Sequence, residues 1–163
     1  MQKLAEVEEA KALMTEALSW SVIKWLAEKK RVRKTADKAN NLVWAMQEEL
    51  RGSWSEELIS AYDALAAGTS DRQRAKQDTS AIDPEIKRLA KAVKQADDEA
   101  YAAHLDAEET FDKADKILST AKAREGCRKA ILSWELYEKA ILKSEACASQ
   151  NRARNESRQV PQE

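Results

Sequence analysis

The chain has 163 residues, with 28 lysines and arginines against 29 aspartates and glutamates and a single histidine, for a net charge of −1. Three glycines and two prolines leave few tight turns for an all-β fold and exclude collagen-like and low-complexity classes. Two cysteines cannot build a disulfide framework, no apolar run reaches the ~18 residues of a membrane span, and no signal pattern opens the chain; a cytoplasmic, reducing location is therefore expected.

No strong helix breaker precedes Gly52. Apolar residues at Leu4, Val7, Met14, Leu18, Val22, Trp25, Val32, Ala39, Leu42, Val43, Met46 and Leu50 step by three, four and seven, which predicts one helix over 2–51. The stripe weakens over 28–36, and a break near Thr35 is the alternative. Gly52 ends the helix. Ser53-Trp54-Ser55-Glu56 then reads as a capping box that opens a short helix over 54–66, with Gly68 as its stop. Residues 67–83 carry almost nothing to bury and read as an exposed connection.

Asp83-Pro84 is a capping carboxylate followed by proline at the first helical position, and it opens a third helix over 84–125. Steps of seven from Ile86 give Val93, Ala100, Ala107, Ala114 and Ala121; steps from Leu89 give Ala96, Ala103, Thr110 and Ile117. A coiled-coil-like seam made largely of alanine lets a neighbouring backbone come close, which suits an antiparallel hairpin or bundle. Gly126 reads as a kink or a hinge before a last helix over 127–147, which holds Ile131, Leu132, Trp134, Leu136, Tyr137, Ala140 and Ile141. Residues 148–163 lose the pattern and are expected to be a disordered tail. The fold expected is all-α: one elongated antiparallel helical bundle or hairpin over 1–147, with about three to five helices.

His104 is the sole histidine, so catalysis by a histidine pair is excluded. Helical spacing places it on one face with Asp97, Tyr101 and Glu108. Asp97, His104 and Glu108 are the candidates for a proton-transfer or metal site, against the plainer reading of a histidine at the margin of the alanine seam. No cofactor is expected: glycine-rich phosphate loops, the nucleophile-elbow pattern and paired zinc-binding histidines are all missing. Cys127 has Arg124, Arg128 and Lys129 as neighbours, which favours a thiolate, yet no second thiol motif accompanies it.

Residues 24–38 hold seven basic and two acidic residues, net +5, after an almost uncharged stretch with two tryptophans. Lys29, Lys30, Arg31, Arg33 and Lys34 are the candidates for binding an anionic surface, either nucleic acid or acidic lipid. Residues 97–115 hold eight acidic residues and one lysine, net −7. If the first and third helices are antiparallel neighbours, the two blocks face each other and set register, which is the reading preferred here. With no catalytic constellation, the function expected is that of a non-catalytic interaction, adaptor or scaffolding module. It binds a protein partner or a second copy of itself, with Trp20, Trp25, Trp134 and Tyr137 as the anchors.

Overall fold

The computed structural model describes residues 2–66 and 82–159, with side chains through residue 147. The described residues form five α-helices and no strand: α1 (Gln2–Ala17), α2 (Val22–Arg51), α3 (Glu56–Ala66), α4 (Pro84–Ile117) and α5 (Thr120–Gln159). The all-α expectation holds, but several helix boundaries differ from those read in the sequence.

The first helix breaks at residues 18–21 and runs without interruption past Thr35. Serine chemistry explains the break. Ser19 Oγ donates back to the Glu16 carbonyl (2.9 Å), while Ser21 accepts from the Lys24 amide (3.2 Å) and so caps α2. The turn is held from outside by Arg124, which donates to the Trp20 carbonyl (2.8 Å). Ser55 rather than Ser53 caps α3, accepting from the Leu58 amide, while Ser53 donates to the Leu50 carbonyl of the preceding helix.

At the other junction, Asp83 caps α4 through the Glu85 amide, with Pro84 in its first turn as expected. The helix stops at Leu118, a non-glycine residue in the left-handed region (φ 50°, ψ 43°), and Ser119 caps α5 by accepting from the Lys122 amide. Gly126 is therefore no hinge; it lies inside α5. The backbone of α5 also continues through Gln159, so the expected tail is helical over 148–159. Residues 67–81 of the expected connection lie outside the described residues, and Ile82 at its end is buried against Leu58, Ile86 and Ala90.

Cross-helix contacts fix the topology. Lys38 pairs with Glu6 and Lys24 with Glu16, so α1 and α2 are antiparallel. Arg33 reaches Asp112 and Arg51 reaches Asp97, so α2 and α4 are antiparallel as well. Lys129 reaches Asp106 in the α4–α5 hairpin. Parallel pairing joins α2 to α5, where Asn40 meets Trp134 and Trp44 meets Tyr137.

The central helix is α5, which packs on α1, α2 and α4. Its buried positions Ala123, Cys127, Ala130, Trp134, Tyr137, Ile141 and Ser144 alternate steps of four and three, the pattern of a helix face turned to the core. Most of these side chains are small, and so are Ala100, Ala107 and Ala114 opposite them on α4. Small side chains on both sides bring α4 and α5 into the closest pairing of the fold. The main core surrounds fully buried Trp134; a smaller cluster of Trp54, Leu58, Tyr62, Ile86, Val93 and Cys147 lies around α3.

Gly126 sets the spacing of the hairpin. A Cβ there would lie 2.8 Å from Cδ1 of the buried Phe111 ring, so the ring would have to move. Gly126→Ala is expected to lower stability by about 1–3 kcal/mol, overcoming alanine's better helix propensity. Urea unfolding checks the sign, and adding Phe111→Leu should recover part of the loss.

Candidate functional site at the basic end of the bundle

Between α2 and α4 the helices meet through long side chains rather than close backbones. From α2, Arg33, Asn40, Trp44, Gln47 and Arg51 project along one face at helical spacing. Arg33 donates to Asp112 (3.1 Å), and its guanidinium lies 5.0 Å from the Phe111 ring centre. Trp44 meets His104 edge to face, with ring centres 5.1 Å apart. Asp97 accepts from Gln47 (2.7 Å), Arg51 (3.0 Å) and the Tyr62 hydroxyl (2.6 Å), which ties α2, α3 and α4 together.

This geometry separates the carboxylates proposed to work with His104. Asp97 is engaged by Arg51 and Tyr62, while buried His104 meets Glu108 alone, at 3.3 Å from Nε2. Among the described residues no group of three or more histidines, cysteines or carboxylates is arranged to hold a metal ion. Burial overrides the basic neighbours of Cys127 and pushes its thiol up to about 12, the opposite of an activated thiolate. Burial raises the Cys147 thiol as well.

The four residues expected to anchor a partner are core. Trp134 is wholly inaccessible and donates to Asn40 (2.7 Å), and Tyr137 accepts from Trp44 (3.0 Å). Trp20 and Trp25 pack on each other under the α1–α2 turn, with ring centres 6.3 Å apart. All three tryptophans belong to the main core cluster, so their size goes into packing.

Thirteen large apolar residues are exposed among the described residues, and five of them lie near the α1–α2 and α4–α5 turns. Val22, Ile23 and Leu26 lie at the start of α2, with Ile23 82% exposed. Ile117 and Leu118 lie at the α4–α5 turn, with Leu118 73% exposed. The Arg124–Trp20 and Arg33–Asp112 contacts place both turns at the same end of the bundle. Sequence reading missed Ile117 and Leu118 as surface residues because the break after them was not recognised; the signal was Ser119, a capping residue directly after two large apolar residues.

The same end is strongly basic. Residues 13–34 and 112–129 together hold twelve lysines and arginines and five carboxylates, within a chain whose net charge is −1. The expected confrontation of the 24–38 and 97–115 blocks is realised by Arg33 alone, which reaches Asp112 and, at 3.9 Å, Asp115. Arg31 pairs within its own helix with Glu28, and Lys24 and Lys38 pair with α1. Among the described residues no carboxylate lies within 4.0 Å of Lys29, Lys30 or Lys34.

Neither a protein-family model, nor a curated protein, nor a solved structure matches this chain. No helix among the described residues is long and apolar enough to cross a membrane.

The Asp97 cluster has a pH signature. Burial first, then the hydrogen bond to Asp97, raises the Tyr62 hydroxyl above its ordinary value near 10. Because the folded value lies above the unfolded one, this contribution is complete below about pH 10 and is lost as pH rises beyond it. The unfolding free energy of the native protein should therefore fall above about pH 10 more steeply than that of Tyr62→Phe. Denaturant titrations of both proteins between pH 8 and pH 11 check this; parallel profiles would remove Tyr62 from the account.

Proposed function

We propose that the chain is a non-catalytic helical interaction module that docks onto an acidic partner through the apolar, basic end of its bundle. One observation carries the reading: two turns far apart in sequence present Val22, Ile23, Leu26, Ile117 and Leu118 to solvent at one end, backed by lysines. The candidate proton-transfer groups are engaged within the fold, Asp97 by Arg51 and Tyr62, His104 by Glu108 and Trp44.

Leu118 adds weight. A side chain with a Cβ is disfavoured in the left-handed region by about 1–2 kcal/mol, and helices that end this way normally use glycine. A large apolar residue at such a position gains little burial to offset that cost, since Leu118 is 73% exposed. Strain of this kind concentrates at functional positions. Head-to-head pairing of two copies through this end is opposed by their like charge.

Two substitutions separate docking from folding. Leu118→Gly is expected to raise stability by about 0.5–1 kcal/mol while weakening docking. Ile23→Asp combined with Leu118→Asp should keep the helical circular dichroism and abolish docking. The measurement is a quantitative pull-down from the native host, with the wild-type chain and each variant as bait. Equal recovery of bound material by wild type and the double variant would overturn the reading.

A further inference from the structure

We infer that the acidic partner is an anionic lipid bilayer, on which the bundle stands end-on with its two apolar turns in the headgroup region. The inference rests on the docking reading above and names the surface it meets. Ile23 in the first turn of α2 and Leu118 at the α4–α5 junction are the two most exposed large apolar residues among those described, and side chains so open to solvent enter a soft interface more readily than they form a groove for a partner helix. The five apolar residues are too few to span anything, and no described helix is long and apolar enough to do so; they suit shallow insertion at the boundary of headgroups and acyl chains.

Charge placement agrees. Eight of the twelve cations at this end are lysines: Lys24, Lys113, Lys122 and Lys129 pair with Glu16, Glu109, Glu125 and Asp106, whereas Lys29, Lys30 and Lys34 on α2 and Lys116 on α4 have no carboxylate within 4.0 Å among the described residues. Of the four arginines, Arg33 and Arg124 are held inside the fold by Asp112 and the Trp20 carbonyl. The unpaired lysines lie on two helices, Lys29, Lys30 and Lys34 on α2 and Lys116 on α4, and cations spread over two helices beside exposed apolar residues match a planar field of phosphates. Lysine stems are flexible enough to lie along apolar surface while the ammonium groups stay at headgroup level. A nucleic-acid strand would engage the cations and leave the apolar residues in water.

The chemistry defines its test. Purified full-length protein is mixed with vesicles of phosphatidylcholine alone, or with about 30% phosphatidylserine, and sedimented at about 0.1 M and about 0.5 M salt. The wild-type chain is expected to bind the phosphatidylserine vesicles at least about tenfold more tightly than the neutral ones, with most binding lost at the higher salt. Ile23→Asp with Leu118→Asp, and separately Lys30→Glu with Lys34→Glu and Lys116→Glu, should each lose about tenfold or more. Leu142→Asp with Lys143→Glu is the control, because Leu142 is a largely exposed apolar residue on the far half of α5; it should bind like wild type. If the tip double variant loses helicity, Ile23→Ser, at the most exposed of these positions, replaces it.

Absence of binding to any vesicle, or equal losses in the control, overturns the bilayer assignment. If recovery in the pull-down nevertheless depends on Ile23 and Leu118, only the lipid assignment falls, and an acidic protein takes its place. Independence from these residues in both experiments overturns the docking reading too.

Discussion

A phenyl ring resting on a missing side chain, Phe111 of α4 on Gly126 of α5, sets the spacing of the two longest helices, and the other helices are arranged around that pair. Alanines on α4 and small residues on α5 let these backbones approach closely. A close approach on one side leaves the opposite face of α5 to be filled by size. Trp134 and Tyr137 do this toward α2, and each is fixed by a hydrogen bond, Trp134 to Asn40 and Tyr137 from Trp44. The buried indole and phenol thus satisfy their polar atoms without water, as core polar groups must. The gap between α2 and α4 is then bridged by Arg33, Trp44, Gln47 and Arg51. Tight packing on one flank and a polar seam on the other are two consequences of one helix spacing.

The near-zero net charge conceals a molecule with two electrically different ends. Twelve cations and five carboxylates gather in the residues around the two turns at 18–21 and 118–119, which leaves sixteen cations and twenty-four carboxylates for the rest of the chain. Little of this asymmetry is consumed in holding the helices together. Exposed pairs such as Lys113–Glu109 and Arg31–Glu28 are each worth only about 0–1 kcal/mol. Arg33 and Lys129 are the exceptions, both largely buried and bridging helices, Arg33 to Asp112, Asp115 and the Phe111 face and Lys129 to Asp106 and Thr110. An expectation that whole charge blocks pair off across the bundle overlooks that most charged residues on a helix point away from its neighbour.

The helical periods and the Asp83-Pro84 start were legible in the sequence; the breaks were not. The tripeptide Leu-Ser-Trp occurs at 18–20 and again at 132–134, with opposite outcomes. At the first site Ser21 follows and captures the Lys24 amide, so a new helix begins. At the second, Ser133 donates back to Ala130, Trp134 enters the core, and α5 runs on. What decides is one residue downstream together with the tertiary environment, Arg124 on the Trp20 carbonyl in one case and Asn40 on the Trp134 indole in the other. Gly126 misled for the same reason. A glycine in a helical pattern marks either a bend or a close neighbour, and only the position of Phe111 tells which. The tryptophans were likewise recognisable as anchors, but whether an anchor faces a core or a partner depends on the helix opposite.

That dependence gives the exposed end its meaning. With Trp25 turned into the core, helical geometry sends Ile23 and Leu26, two and one positions away, to other faces, while Val22 is exposed at the very start of α2. A polar residue would fill those outward positions at no cost to the core. The same holds at Ile117 and Leu118, where nothing in the packing of α4 on α5 calls for a large apolar side chain and the left-handed backbone at Leu118 argues against one. Core packing therefore accounts for the buried tryptophans and leaves these five side chains unaccounted for. Their grouping at the one end where lysines also gather makes a requirement imposed from outside the chain the simplest physical explanation.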